Sequence, residues 1–582
     1  MSVAIHVSHE AAAKIGGIGS VLNGLVSSPS YRARFSRTLI YGPLFSLEGP
    51  SKNRLGENSR LLYSSLDGVT PAPWRERFAP LEEKFGLRFV YGIRMMGNEF
   101  SPEESVETEI LLCDVRGAKR SAVDTLKFTL WESFALPCDR FGDWDFEQYL
   151  RLSVPYVEVV EALFGSEPCV HFAHEYMGVP CALAVEREKS LQRRLADKTF
   201  FYAHEISPAR ACVESHPGHD TLFYNLLLHD RREGRSLEER FGSQENSYRS
   251  QLVKRAVHMN GVLCVGDWVQ EEFLYLCPGA DPKRVHTVYN GAPSRMIDFK
   301  EKELRRALIK EYGRRLFLFT PDIILTHVAR LVVSKGFWRD LRFLYPLDRE
   351  LAERGLKGIF IILSTLIGTG RNQEEVCRME EEYGWPLLHR KGWPDLVGAE
   401  ESLSESLSLF NARSQAIKGV FLNQFGFAPG RSGLRVPQEA SFLDLRAASD
   451  LEFGLSIYEP FGIAQLEASP FGGVALLSRA CGSAFLLEQT GLTETHRIVD
   501  FAALPSPLGE SPLGKGDLLA RIGLKEREER ENRAALESAP LLAEDLAARI
   551  SNPSPFFEKG QLLQERISWE RIFREKILPA LS

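Results

Sequence analysis

Cysteine and long apolar runs are both scarce in this sequence. Nine cysteines lie among 582 residues, an odd number with no C-x-x-C pair, at positions 113, 138, 169, 181, 212, 264, 277, 377 and 481. This spacing predicts neither a disulfide framework nor a zinc ribbon, and it favours a reducing compartment. The most apolar short run, Gly358–Leu366, is far below the ~18 residues of a membrane span, and the first residues form no cationic leader. We therefore expect a cytoplasmic protein without a membrane partner.

An excess of positive charge is also missing. The chain has 71 basic and 78 acidic residues, which give a formal net charge of -7. That balance excludes a basic surface over the whole chain of the kind that binds nucleic acid or anionic lipid. We expect no nucleic-acid partner, and any phosphate group must be held by a few local cations.

Apolar residues make up 44% of the sequence, enough for more than one packed core. Short β-branched runs alternate with helix-like stretches, the pattern of parallel sheets buried on both faces, which predicts an α/β fold. The predicted strands are Val3–Val7, Thr199–Ala203, Gly261–Val265, Val285–Tyr289, Ile323–Val328, Gly358–Leu363, Gly419–Leu422 and Val474–Leu477. A charged stretch after residue 296 suggests a boundary between two halves there, and residues 45–150 are interpreted as an elaboration of the first half.

Polar residues follow several of these strands, where ligands bind in open parallel sheets. In the first half they are the loop Lys14-Ile-Gly-Gly-Ile-Gly after Val3–Val7, His171 with His174-Glu175 after the short strand Cys169-Val170, and His204-Glu205 after Thr199–Ala203. In the second half they are Arg330 with Lys335-Gly336, and Glu459-Pro-Phe-Gly after the strand-like Leu451–Ile457. For each there is a plain alternative: a packing turn for the glycine loop, solvated cations for the basic pair, and core histidines.

Metal and dinucleotide motifs are not completed. Neither His174-Glu175 nor His204-Glu205 extends to H-E-x-x-H, and the glycine loop is neither a G-x-G-x-x-G fingerprint nor a Walker A loop. We predict no metal and no bound cofactor. Glu459 and Glu467 are separated by eight positions, which span ~12 Å if Gly462–Ser469 is helical. That exceeds the ~5–9.5 Å between paired glycosidase carboxylates, so the two residues would suit opposite ends of one long ligand.

Taken in order, the motifs resemble those of glycogen and starch synthases and related retaining GT-B glycosyltransferases. They are Lys14-x-Gly-Gly-Ile, His174-Glu175, Val288-Tyr-Asn-Gly291, Arg330-(x4)-Lys335-Gly336 and Tyr458-Glu-Pro-Phe-Gly-Ile-Ala-Gln-Leu-Glu-Ala468. The resemblance covers most of the chain and is most specific in the Glu-Pro-Phe-Gly segment. It implies two Rossmann-like domains whose parallel sheets face each other across a deep cleft, at residues 1–296 (acceptor side) and 297–560 (nucleotide-sugar side). It also implies that residues 561–582 form a helix that crosses back to the first domain.

The same resemblance implies roles for single residues. Arg330 and Lys335 would hold the donor pyrophosphate, Glu467 its ribose and Glu459 the donor sugar. The remaining implied residues are the turn Phe461, Gly462 and Ile463 and the loop Lys14, Gly16 and Gly17 for donor binding, His174 beside the reacting sugar, and His171, His204 and Glu205 as further sugar or acceptor contacts. The implied catalytic set is Glu459, His174, Arg330 and Lys335.

By resemblance, the activity is transfer of a hexosyl group, most simply glucosyl, from a nucleoside diphosphate sugar to an α-glucan or related acceptor, with retention. Ser20 stands where synthases commonly have Asp, which leaves the acceptor open. A related enzyme that makes a small glycoside of the sucrose phosphate or trehalose type is one alternative. The other is a catalytically silent protein that binds glucan or nucleotide sugar. The donor base and the oligomeric state are not predicted.

Overall fold

The computed structural model describes residues 2–12, 16–48, 53–56, 58–98, 100–293 and 295–582. Its strands are β1 Ser2–Val7, β2 Phe35–Pro43, β3 Ser59–Ser64, β4 Arg88–Met96, β5 Val106–Asp114, β6 Cys169–His174, β7 Lys198–Ala203, β8 Gly261–Cys264, β9 Val285–Thr287, β10 Ile323–Val328, β11 Gly358–Leu363, β12 Ile417–Leu422, β13 Leu451–Gly454, β14 Val474–Ser478 and β15 His496–Val499. All eight strands predicted from the sequence overlap one of these.

The helices lie between the strands and after the last of them. They are α1 Gly17–Ser27, α2 Pro29–Arg34, α3 Ala72–Phe85, α4 Arg120–Phe134, α5 Trp144–Ser153, α6 Tyr156–Phe164, α7 Glu175–Ser190, α8 Ser207–Ser215, α9 His219–Arg232, α10 Leu237–Phe241, α11 Tyr248–Lys254, α12 Asp267–Leu276, α13 Phe299–Phe317, α14 Phe337–Glu353, α15 Gln373–Tyr383, α16 Ala399–Arg413, α17 Phe442–Ala448, α18 Ser483–Thr490, α19 Gly516–Leu519, α20 Leu524–Ser551, α21 Ser554–Arg566, α22 Trp569–Ile572 and α23 Leu578–Ala580. None of the helices in the described ranges is both long and apolar enough to cross a membrane.

The chain divides into two compact units, and neither is a single continuous stretch. The first unit comprises residues 1–209, 234–293 and 569–582, and the second comprises residues 210–233 and 294–568. Residues 210–233 therefore group with the second unit, which differs from the expected 1–296 range. Each unit contains its own sheet.

The sheet of the first unit has nine strands in the order β3-β4-β5-β2-β1-β6-β7-β8-β9. Only β4 runs against the others, because it pairs antiparallel with both β3 and β5 while the remaining pairs are parallel. The stretch 45–150 supplies this mixed edge of the sheet together with α3 to α5. The expectation of a purely parallel sheet is therefore wrong at this edge.

The sheet of the second unit has six strands in the order β12-β11-β10-β13-β14-β15, and all of its pairs are parallel. Successive residues of β10 pack in different hydrophobic clusters. Leu325 packs in one cluster with Phe343 and Phe453, whereas Ile324 packs in another with Trp385. Burial on both faces explains why β10 and β11 are continuous apolar runs. The α/β class is confirmed, with two sheets that are mainly or wholly parallel.

The last residues of the chain pack in the first unit. The carboxylate of Glu570, in α22, accepts a hydrogen bond from the hydroxyl of Ser28 at 2.7 Å and from the amide of Ser30 at 2.8 Å. Phe573 meets Tyr31 edge-on, with ring centroids 5.4 Å apart. The terminal segment thus holds the short helix α2, since Ser28 is the N-cap of that helix.

Segment 210–233 is joined to the rest of the second unit by a buried ion network. The guanidinium of Arg339 in α14 donates to both carboxylate oxygens of Asp220, at 2.6 and 2.9 Å, and to Glu531 of α20 at 2.8 Å. All three side chains are at most 1% exposed. Charges this deeply buried persist only because each faces its counter-charge.

Replacing Arg339 by Met should lower the free energy of unfolding by about 3–5 kcal/mol, because Asp220 would keep a buried charge without its partner. The matched control is Arg349→Met on the exposed side of the same helix, which should change stability by no more than about 0.5 kcal/mol. Urea denaturation of the two variants measures the difference. Equal effects would show that the network is not what stabilises this region.

Candidate functional site

In the second unit, two of the predicted catalytic side chains meet. Lys335 Nζ contacts Glu459 Oε2 although the residues are 124 positions apart. The backbone brings them together, because Ser334 accepts hydrogen bonds from the amides of Ile457 at 2.9 Å and Tyr458 at 3.2 Å. The two motifs therefore form one structure beyond the carboxyl ends of β10 and β13.

Gly336 is required where these two segments approach. Its φ is +65°, and a Cβ there would lie 2.7 Å from the carbonyl oxygen of Leu455. Any other residue would combine an unfavourable backbone conformation with a clash against the main chain. The glycine after Lys335 thus allows the lysine loop to pack directly on the segment that leads to Glu459.

The Glu459–Ile463 turn is fixed from its other side by the segment 481–483. Gly482 donates its amide to the Glu459 carbonyl at 2.9 Å, and Ser483 donates to the Phe461 carbonyl at 2.8 Å. No described residue accepts a hydrogen bond from the amides of Gly462 and Ile463. These two amides are suited to an anion or a sugar oxygen.

Glu467 is not on an α-helix with this turn. Short 3-10 turns occur here, at Ala464–Leu466 and Ser469–Phe471, so the helix over 462–469 on which the ~12 Å span was conditional does not form and that span does not apply. The Glu467 carboxylate lies 3.1 Å from Arg446 Nε, and Arg446 also donates to Glu452 at 2.8 Å. Its negative charge is thus balanced inside the unit.

Arg330, predicted to bind pyrophosphate, follows β10 and is exposed. Its side chain makes no hydrogen bond or ion pair with any residue that the structure describes. A guanidinium in this state is available for a bidentate contact with phosphate oxygens.

In the first unit, His174 ends β6 and is part of a row of histidines. Its Nε2 lies 2.9 Å from His6 Nδ1, and its Nδ1 lies 2.8 Å from His204 Nε2. His174 and His6 are fully buried, whereas His204, just beyond β7, is half-buried. With both ring nitrogens occupied, His174 has none left for a sugar in this arrangement.

Burial keeps these imidazoles uncharged. It lowers the pKa of His6 to about 3, and it lowers the pKa of His204 to about 3. Desolvation is also the main cause that depresses the pKa of His174 well below its usual value, and the neighbouring histidines add to it. All three rings are therefore neutral at physiological pH.

Glu175 fixes the end of β7 next to this row. It adopts φ +58° at the start of α7, which is unusual for a side chain of its size. Its Oε1 accepts hydrogen bonds from the amides of His204 at 2.6 Å and Glu205 at 2.7 Å. Burial, with Glu205 nearby, raises the pKa of this carboxyl well above its usual range. Strain and a perturbed carboxyl at one strand end are typical of functional sites.

His171 differs from the prediction. It lies within β6 rather than at its end, is 1% exposed, and bonds to Tyr156 at 2.7 Å and to Asp197 at 2.9 Å. Asp197 also pairs with Arg194 at 2.6 Å. The side chain is a core residue because an inner strand position faces a helix, and the expected sugar contact is wrong for this residue.

The glycine loop is only partly described. Lys14 lies outside the described residues, whereas Gly16 precedes α1 and Gly17 begins it. The amides of Gly16 and Gly19 both donate to one carboxylate oxygen of Glu10, each at 2.8 Å. Glu10 therefore caps the positive end of α1, a position that also suits an anionic ligand.

Four functional candidates were missed by sequence reasoning: His6, Tyr31, Arg446 and Glu10. His6 alone carries a signal, as a polar residue inside the apolar strand β1. The others act through contacts with residues six or more positions away, and no spacing rule connects them.

Comparison with known proteins gives only distant structural likenesses. No family model matches the chain, and no curated protein matches it. A structure described as "Trehalose-6-phosphate from E. coli bound with UDP-2-fluoro glucose" is 13% identical, with a TM-score of 0.46 and coverage of 100% of this chain and 99% of that one.

Two further solved structures are similar to the same degree. The catalytic domain of starch synthase IV from Arabidopsis thaliana, bound to ADP and acarbose, is 13% identical with a TM-score of 0.46, covering 96% of this chain and 99% of that one. An α,α-trehalose-phosphate synthase (UDP-forming) from Burkholderia vietnamiensis is 16% identical with a TM-score of 0.42, covering 95% and 97%. At these scores the likenesses do not assign a function to this chain.

We predict that Gly462→Ala destabilises the protein more than Gly491→Ala. Both glycines have positive φ, +90° and +69°, so each substitution strains the backbone. At 462 the new methyl group would also lie 2.6 Å from Gln465 Oε1 and 3.0 Å from Cys481 Sγ, whereas nothing lies within 4 Å at 491. Thermal unfolding should show the larger loss for Gly462→Ala, and equal losses would contradict a tightly fixed turn.

The neutral histidines predict acid sensitivity. Between pH 6.5 and about 3 an unfolded His6 binds a proton that the folded one does not, so the free energy of unfolding falls as the pH falls. One such group contributes about 1.4 kcal/mol per pH unit. His6→Gln should reduce the slope of stability against pH by that amount between pH 4 and 6. The control His216→Gln, in the second unit, should change the slope less than His6→Gln does. Identical slopes for wild type and His6→Gln would contradict the assignment.

Proposed function

We propose that this protein is a retaining glycosyltransferase. It transfers a hexosyl group, most simply glucosyl, from a nucleoside diphosphate sugar to an α-glucan or related acceptor hydroxyl. The observation that carries the proposal is the contact between two motifs of the synthase resemblance, made by the Lys335–Glu459 ion pair and by the backbone hydrogen bonds to Ser334 beside it. Paired elements that are far apart in sequence and meet beyond strand ends are typical of ligand sites in parallel α/β sheets.

The donor diphosphate would be bound by the groups that are still available. Arg330 is exposed and offers a planar fork of donors, and the amides of Gly462 and Ile463 offer two more. Lys335 adds a point charge if its ammonium turns from Glu459 to the phosphate. In this proposal the negative charge of the diphosphate is neutralised by cationic side chains, without a divalent metal.

The reaction exchanges one bond at the anomeric carbon for another on the same face of the sugar. The bond from that carbon to the phosphate oxygen breaks, and the bond to the acceptor oxygen forms. The proton of the acceptor hydroxyl passes to the leaving phosphate oxygen, so no protein base is required. Fixed cations and amides stabilise the charge that develops on the leaving group.

Glu459 and Glu467 have different roles in this proposal. Once Lys335 turns to phosphate, Glu459 can accept hydrogen bonds from the hydroxyls of the donor sugar. Glu467 can accept from the ribose, and Arg446 holds its carboxylate in position. A silent binding protein with the same fold would need neither the lysine nor the movement.

The test is product analysis by mass spectrometry after incubation with UDP-glucose or ADP-glucose and one acceptor at a time: glycogen, maltotriose or glucose 6-phosphate. Transfer to glycogen or maltotriose supports the glucan acceptor, and transfer to glucose 6-phosphate identifies the small-glycoside alternative. Donor-dependent thermal stabilisation without transfer to any acceptor would indicate a silent binding protein. No transfer and no stabilisation would refute the proposal.

Lys335→Met should reduce turnover by a factor of about 100 or more, because one cation at the leaving group is worth several kcal/mol in a closed site. The control is Lys525→Met, whose side chain is 92% exposed on α20, and it should retain normal turnover. Initial rates with the best donor and acceptor measure both variants. Near-normal turnover of Lys335→Met would show that the motif assignment is wrong.

A further inference from the structure

The histidine row extends into a longer chain of hydrogen bonds in the first unit. Successive polar atoms are 3.1 Å apart from Thr38 to Tyr31, 2.8 Å from Tyr31 to His6, 2.9 Å from His6 to His174 and 2.8 Å from His174 to His204. The five side chains come from β2, α2, β1, β6 and the residue after β7. Among the residues that the structure describes, each ring nitrogen of His6 and His174 forms a hydrogen bond only with its neighbours in this chain of side chains.

A chain of neutral imidazoles has only two ordered states. Each ring carries one N–H and one lone pair, so a ring that accepts at one nitrogen must donate from the other. If the hydroxyl of Tyr31 donates to His6 Nε2, then His6, His174 and His204 all carry their proton on Nδ1. If the direction is reversed, all three carry it on Nε2.

The Tyr31 end selects the first state. A phenol is far more acidic than an alcohol, so the Tyr31 hydroxyl donates to the basic imidazole nitrogen, and Thr38 donates to the phenol oxygen. The contact lengths agree with this, since the distance to His6 is 2.8 Å and the distance to Thr38 is 3.1 Å. The order then passes through the chain and leaves His204 with an N–H at Nδ1.

Packing restrains the orientation of the rings, so each ring nitrogen keeps facing its partner. His6 stacks on Phe172 with centroids 4.6 Å apart, and Tyr202 stacks on both His174 and His204 at 5.1 and 4.8 Å. Tyr31 is held in α2, which Glu570 fixes through Ser28 and Ser30. Burial lowers the pKa of each ring, so the chain holds no net charge.

His204 is the end of the chain that a ligand can reach. It is half-buried, and no described residue forms a hydrogen bond with its Nδ1. We propose that Tyr31 and His6 are positioning residues that set the tautomer of His174 and His204, so that His204 presents an uncharged N–H donor to an oxygen of the substrate. That oxygen is a sugar hydroxyl or a phosphate oxygen, since both accept a hydrogen bond from a neutral donor. The inference deepens the proposed glycosyltransferase function and relies on it for the class of ligand.

The test is long-range proton–nitrogen NMR of protein labelled with 15N only in histidine, with signals assigned from His6→Gln, His174→Gln and His204→Gln. We expect all three rings of the wild type to be neutral and protonated on Nδ1. Tyr31→Phe removes the hydroxyl that sets the order, so the Nε2-protonated form should appear in all three rings together. The matched control is Tyr156→Phe, which removes a buried tyrosine–histidine bond outside the chain and should leave the three rings unchanged.

Titrations with maltotriose and with inorganic phosphate separate the two kinds of oxygen. The ligand that shifts the His204 Nδ1–H signal identifies the kind of oxygen that binds. If neither ligand shifts this signal, the ligand assignment is overturned. A wild type protonated on Nε2 at His204, or rings that do not respond to Tyr31→Phe, overturns the tautomer assignment. If Tyr31→Phe does not fold, the wild-type spectrum alone decides.

A separate measurement distinguishes failure of this inference from failure of the proposed function. Thermal stabilisation by UDP-glucose or ADP-glucose reports donor binding and does not depend on the tautomers. Stabilisation with the wrong tautomers refutes only the histidine chain. Correct tautomers without stabilisation or transfer by any donor refute only the glycosyltransferase.

Discussion

The structure depends on one constraint: parallel strands covered on both faces leave no water for the polar groups at their ends. Such groups must find partners within the protein, because an unpaired buried donor or charge costs more than a typical hydrogen bond contributes. The histidine chain satisfies this need in the first unit, and Arg446 satisfies it for Glu452 and Glu467 in the second. Most of the candidate site is therefore a set of polar groups that compensate one another.

This compensation explains why neither unit is a continuous stretch of chain. Asp220 in segment 210–233 is the counter-charge of Arg339, so the segment must group with the second unit whatever its position in sequence. Glu570 has the same role at the other end of the chain, where its carboxylate caps α2 through Ser28 and Ser30. One buried ion pair and one capping carboxylate thus tie these distant pieces of chain to their units.

The repeating features of the fold could be predicted from the sequence, and the pairwise features could not. Apolar runs such as Gly358–Leu363 identify strands because burial on both faces demands them, and the polar residues His204 and Lys335 after β7 and β10 followed from the same pattern. The antiparallel strand β4 was not predicted, since its alternation is local and its direction depends on neighbours. His171 was misplaced because a strand boundary that is wrong by a few residues moves a side chain from the end of the sheet into the core. Tyr31 and Arg446 carry no signal, because no spacing rule in the sequence connects them with His6 and Glu467, which they contact in the fold.

Compensated charges also determine how such a site can bind its ligand. Lys335 already has Glu459, and the amides at the start of α1 already have Glu10, so a phosphate gains only the difference between its own contacts and those it replaces. Exchange of partners makes net affinity small compared with the gross attraction, and it favours a ligand that supplies an anion for the cation and hydroxyls for the released carboxylate. A nucleoside diphosphate sugar has both groups on one molecule, whereas free phosphate or free sugar has one. Discrimination at Lys335 and Glu459 would then follow from the ligand's need to satisfy both members of the pair at once.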